Sequence, residues 1–229
     1  MPTTYPVLVP RRRDFGRRDE IWAHLKETHW ADFNIIEGVH EETGPFNRSL
    51  AINRAADLAG DWEYAIIADA DSTVTHRQIE QGLYVAQLTK SLVIPHSRWV
   101  NVDEDETEVY FEGKPLIWRK DRIKYNCTLS SVLIVPRWIW DAVNGFDERF
   151  VGWGWEDTAF MHAVDTMTSG HIRLEGDVLH FAHDRPVADT GRQLDHGYIA
   201  NTNHYRSQYK RARSASELAR VVARNRGKL

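Results

Sequence analysis

Apolar residues along this chain fall into short unbroken runs separated by longer stretches with helical recurrence. The runs at residues 7–9, 33–37, 62–68, 92–95, 131–135 and 178–181 have the length and β-branched content of buried strands. Residues 19–25, 78–90 and 138–143 read as helices. Asn47 stands as an N-cap, after which Leu50, Ala51, Ala55, Leu58 and Ala59 recur at helical spacing until Gly60. A further helix opens at Glu156 or Asp157 and carries the stripe Phe160, Ala163, Val164 and Met167 before Gly170. Residues 101–114 are acidic and read as an exposed excursion. Strands alternating with helices predict an α/β sandwich with a mostly parallel sheet, as one domain over 1–209. Residues 210–229 read as a basic helical appendage, with Lys210, Arg211, Arg213, Arg220, Arg224, Arg226 and Lys228 against the single acid Glu217. A solvated surface helix is the favoured reading there, ahead of a site for an anionic partner.

Composition narrows the function classes. The 229 residues are 42% hydrophobic, enough for a real core, and the net charge of −4 argues against a chain built to coat nucleic acid. One cysteine, Cys127, forms no internal disulfide, and no run approaches the roughly 18 apolar residues of a membrane span. The expectation is a cytoplasmic protein without a transmembrane segment. Nine tryptophans are many for this length; most belong in a core, but such rings also stack on the C–H faces of sugars.

Three constellations carry chemistry. Asp69-Ala70-Asp71 follows a buried run directly, and at a strand end two carboxylates hold a divalent cation against a diphosphate, or Asp69 reaches a ribose. A turn-forming acidic pair is the plain alternative. Gly152-Trp153-Gly154-Trp155-Glu156-Asp157, preceded by Asn144-Gly145-Phe146-Asp147, combines close backbone approach, stacking faces and an acidic pair at a helix start. Acids there also serve as ordinary caps. His180 and His183 lie three apart, so they share one metal only if the chain turns between them, as Asp184-Arg185-Pro186 permits.

The residues 46–53, Phe-Asn-Arg-Ser-Leu-Ala-Ile-Asn, resemble the F-N-R-x-x-x-x-N segment of the β-1,4-galactosyltransferase family. Asp69-Ala70-Asp71 resembles its D-x-D, and residues 152–157 its G-W-G-G-E-D, in the same order. Related patterns occur in chondroitin-polymerase-type transferases and polypeptide N-acetylgalactosaminyltransferases. The resemblance implies a GT-A fold, Rossmann-like with helices flanking the sheet, and transfer from a UDP-sugar with Mn2+ or Mg2+. It implies that Arg12 or Arg13 and Arg48 meet the nucleotide, Asp69 the ribose side, and Asp71, His180 and His183 the metal. Trp153 would line the sugar site, Glu156 bind hydroxyls, and Asp157 act as general base. In the galactosyltransferases the position of His180 is methionine, and Trp155 replaces the second central glycine, which implies a reshaped acceptor pocket.

These readings lead to a metal-dependent glycosyltransferase acting with inversion on a glycan, protein or other hydroxyl acceptor. The rivals are a retaining N-acetylgalactosaminyltransferase-like enzyme, a non-catalytic carbohydrate-binding module, and a metal-dependent phosphoesterase, which would leave the Trp-Gly cluster unexplained.

Overall fold

The computed structural model describes residues 5–117, 121, 123–125, 129–183 and 196–227. Trp118, Cys127, Lys228 and the turn at 184–186 lie outside them.

Six strands form the central sheet in the order β2 (Asn34–Val39), β1 (Pro6–Arg11), β3 (Tyr64–Ala68), β8 (Val132–Pro136), β5 (Leu92–Ile94) and β9 (His171–Arg173). β8 alone runs against its neighbours; the β1–β2, β1–β3 and β5–β9 pairs are parallel. The sheet is thus mostly parallel. Its strands read as continuous apolar runs because both faces are covered. Along β3, Ala65 and Ile67 face one core while Tyr64, Ile66 and Ala68 face the other, the period-two alternation of a pleated strand. The first core is closed by α2 (Arg48–Leu58), α5 (Arg137–Val143), α6 (Glu156–Met167) and α8 (Ala215–Val222), the second by α1 (Arg17–Glu27) and α3 (His76–Thr89). Gly38 lets α2 lie against β2, since a Cβ there would fall 1.8 Å from the Ala51 carbonyl oxygen.

A second sheet has the order β4 (Ser72–Thr73), β10 (Asp177–Phe181), β6 (Arg98–Val102) and β7 (Ile123–Tyr125). The stretch 101–114 is therefore not an open excursion. β6 ends in it and α4 (Glu104–Phe111) follows, started by a capping box between Asp103 and Glu106 and anchored by buried Thr107. The excess of acids hid this helix, because its single fully buried residue is polar.

Beyond residue 195 the chain forms α7 (His196–His204), a π-helical turn (Tyr205–Tyr209) and α8. In α8, Leu218 and Val222 are buried in the first core while Arg220, and Arg224 just past the helix, face solvent. Among the described residues no helix is long and apolar enough to cross a membrane.

Candidate active site

The chain leaves the large sheet at Ala68 and enters the small one at Ser72, so Asp69-Ala70-Asp71 sits at their junction. β4 pairs antiparallel with β10, placing His180 opposite Ser72, and the Phe181 amide donates to the Asp71 carbonyl at 2.9 Å. This register brings Asp71 and His180 together. β10 ends at Phe181, and two residues later His183 has come round to the same side. Ligand atoms of Asp71, His180 and His183 all lie within 4.8 Å of one another. His183 Nε2 is 3.0 Å and His180 Nε2 3.9 Å from Asp71 carboxylate oxygens. Trp99 packs on the His180 ring with centroids 4.9 Å apart and fixes its plane. Imidazole and carboxylate donors in this number suit a divalent transition ion, which takes nitrogen and oxygen ligands alike. Desolvation would raise Asp71, yet the hydrogen bond to His183 and the charges of His180 and Arg18 hold its carboxyl below the ordinary range.

A second cluster adjoins it. Arg48 Nε donates to Asp69 Oδ1 at 2.8 Å and its Nη2 to the Ser130 carbonyl at 2.9 Å, while its guanidinium lies 5.8 Å from the Phe146 ring centre. Asn47 caps α2 by accepting from the Leu50 amide and donates to the Glu148 carbonyl; Asn53 both donates to the Phe146 carbonyl and accepts from its amide. The two asparagines of residues 46–53 therefore lock the 144–148 turn onto α2, and Arg48 between them points to Asp69. Arg48 Nη1 and Glu156 Oε2 are buried without a hydrogen-bond partner among the described residues, a donor and an acceptor suited to a polar ligand.

The 152–155 loop turns through left-handed backbone at Gly152 (φ 77°), Gly154 (φ 101°) and Trp155 (φ 75°), then enters α6 with Glu156 and Asp157 in its first turn. The Gly152 amide donates to the Phe46 carbonyl at 2.9 Å, which ties this loop to the start of α2. Trp155 occupies a conformation that favours glycine, at a cost of order 1–3 kcal/mol. Its ring stacks on Tyr205 at 4.7 Å and leans on Tyr198 at 6.4 Å, contacts that together offset about that much. Its face is thus taken up inside the protein. Trp153 is 40% exposed and stacks on Tyr198 at 5.3 Å. Buried Asn201 on α7 donates to the Val151 carbonyl at 3.1 Å, so this helix braces the loop.

Arg12 Nη1 donates to the Gly44 carbonyl, and Arg13 lines a separate open cleft with Phe15, Trp22 and Glu37. The sequence reading missed Arg18, which reaches Asp71 and His183 from α1; with the helix expected to start at Asp19, Arg18 fell among loop arginines. Tyr198 and Asn201 gave no motif, and only their packing reveals them.

Desolvation pushes Glu156 up to about 7, with repulsion from Asp157 adding to it and Arg48 opposing. Native Glu156 keeps its proton to about pH 7, whereas the unfolded side chain releases it near 4.5. Its stabilising contribution is full below pH 4.5 and is lost as pH rises to about 7. Glu156→Gln cannot ionise, so its melting temperature should gain on the parent's between pH 5 and pH 8. A parent–variant difference that stays constant across this range in calorimetric scans would refute the assignment.

Known structures share this architecture. A Drosophila β1,4-galactosyltransferase 7 mutant in complex with manganese, UDP-Gal and xylobiose aligns over 84% of this chain and 74% of its own, with 20% identity and a TM-score of 0.52. GalNAc-T7 with UDP, GalNAc and Mn2+ aligns over 89% of this chain and 42% of its own, with 12% identity and a TM-score of 0.51. No curated protein matches by sequence. The chain has the GT-A fold that these glycosyltransferases share. More particularly, residues 119–184 match the family described as the N-terminal domain of galactosyltransferase, a stretch that takes in β8, the 152–157 loop and the histidine pair.

Proposed function

We propose that this protein transfers a sugar from a UDP-sugar to a glycan hydroxyl, with inversion and with Mn2+ held by Asp71, His180 and His183. The observation that carries the reading is the meeting of these three side chains at the end of β3, beside the Arg48–Asp69 pair. UDP-Gal with manganese in one similar structure and UDP with Mn2+ in the other support a UDP-sugar and manganese, and xylobiose in the first supports a glycan acceptor. A divalent ion there would neutralise charge gathering on the departing diphosphate. Arg48, buried and with Nη1 uncommitted, adds a fixed donor beside it. Trp153, 40% exposed, offers a platform for a pyranose, and Glu156, its carboxyl raised to about 7 by burial, can donate to as well as accept from a hydroxyl. Asp157, next in the same helical turn, takes the proton of the attacking hydroxyl. Inversion follows from one carboxylate base acting opposite the leaving group. The lone Cys127 fits a reducing, cytoplasmic setting.

Thermal shift with Mn2+ and a panel of UDP-, GDP- and TDP-sugars tests the donor. Ligand bound only to the native state raises the melting temperature, so UDP-sugars should shift it and the others should not. A shift by GDP- or TDP-sugars alone would overturn the donor assignment, and an axial-to-axial product by NMR would overturn inversion.

A further inference from the structure

Arg18, the second residue of α1, places its Nε 3.3 Å from Asp71 Oδ2 and its Nη2 2.9 Å from His183 Nε2. His183 Nε2 is also 3.0 Å from the same Asp71 oxygen. The contacts around Nε2 conflict. A neutral imidazole nitrogen either carries a proton and donates to Asp71, or presents a lone pair and accepts from Arg18; it does not do both. A divalent cation meets no such conflict, because it accepts lone pairs from the imidazole nitrogen and the carboxylate oxygen at once.

Arg18 and a cation therefore call on the same two atoms. Its neighbours are committed otherwise, Arg11 to Asp19 and Glu37, and Arg17 to Glu20 and Glu108. A guanidinium left beside a dication is repelled by it even at the screened dielectric of a protein surface. Its fork matches paired phosphate oxygens better than it matches an imidazole edge.

We propose that Arg18 is a competitor for the cation's ligands that is handed over to the donor diphosphate when the cation binds. This rests on the reading of Asp71, His180 and His183 as the metal site. Arg18 would thus hold metal affinity low until nucleotide arrives, so that cation and UDP bind cooperatively.

The test is calorimetric titration of the full chain and of Arg18→Met, which keeps the apolar stem and removes the charge. Titrated with Mn2+ alone, the variant should bind about tenfold more tightly than the parent; with UDP at saturating Mn2+, it should bind roughly tenfold more weakly. Arg18→Lys keeps the charge without the fork, so it should retain the parent's Mn2+ affinity but share the UDP loss, which also guards against a folding defect in the methionine variant. Unchanged or weaker Mn2+ binding by Arg18→Met overturns the competition, and tighter Mn2+ binding with parental UDP affinity overturns the handover. A parent that binds no Mn2+ brings down the metal-site reading itself, a result distinct from either.

Discussion

Asp157→Asn is expected to leave Mn2+ and UDP binding within a few-fold of the parent and to cut sugar transfer by roughly 100-fold or more, about 2.7 kcal/mol of lost transition-state stabilisation. The amide is nearly isosteric with the carboxylate. Its oxygen still accepts from the Thr158 amide, a contact of 2.6 Å in the parent, so the first turn of α6 is kept. What disappears is the ability to take a proton from the attacking hydroxyl, which acidifies as the new bond forms. Glu156→Gln should differ by weakening sugar or acceptor binding as well as turnover, because Glu156 lies among Arg48, Asp69 and Asp157 as a hydrogen-bonding group. Single-turnover rates at saturating donor and acceptor separate the two. Near-parental transfer by Asp157→Asn would place the base elsewhere and leave these acids as helix caps.

For Asp71→Asn the expected result is loss of the Mn2+ stimulation of UDP binding, a fall of roughly 100-fold or more, since a neutral amide is a poor ligand for a divalent ion. Sequence alone suggests an exposed loop carboxylate whose replacement is harmless to the fold. In the structure Asp71 is only 8% exposed, accepts from Ser72 Oγ, and balances Arg18. The variant therefore leaves Arg18 less well compensated, and a fall of a few degrees in melting temperature should accompany the binding loss. Equal UDP affinity in Mn2+ and in EDTA for the parent would remove the metal from the mechanism altogether.

The buried strands were legible because both faces of the large sheet are covered, which writes them as plain apolar runs; Tyr64–Ala68 and Val132–Pro136 are of this kind. α2 was legible from its cap and its small apolar residues. The short strands of the small sheet were not, since β4 has two residues and β7 three, too few for any period to show. In the site, clustered motifs announced Asp69, Asp71, Arg48 and the 152–157 loop. Arg18 and Asn201 stand alone in sequence, and they enter the site through helix packing that no local pattern records. Arg12 and Arg13 owe their expected role to proximity in sequence to a strand end; in the structure Arg12 donates to the Gly44 carbonyl and Arg13 lines an open cleft with Phe15 and Trp22.

The three residues between β3 and β4 belong to neither sheet, and their position has a dynamic consequence. Asp71 is joined to β10 through the Phe181 amide and stands within reach of His180, so whatever grips Asp71 and His180 together bridges the large sheet and the small one. β10 in turn carries β6, and β6 carries β7 at the far edge. Local openings of the small sheet would then become rarer when the bridge is made, and backbone amides of β6, paired with β10 along its length, would exchange their hydrogens more slowly. If the proposed cation site is filled, its occupancy would thereby be read out in the breathing of the small sheet.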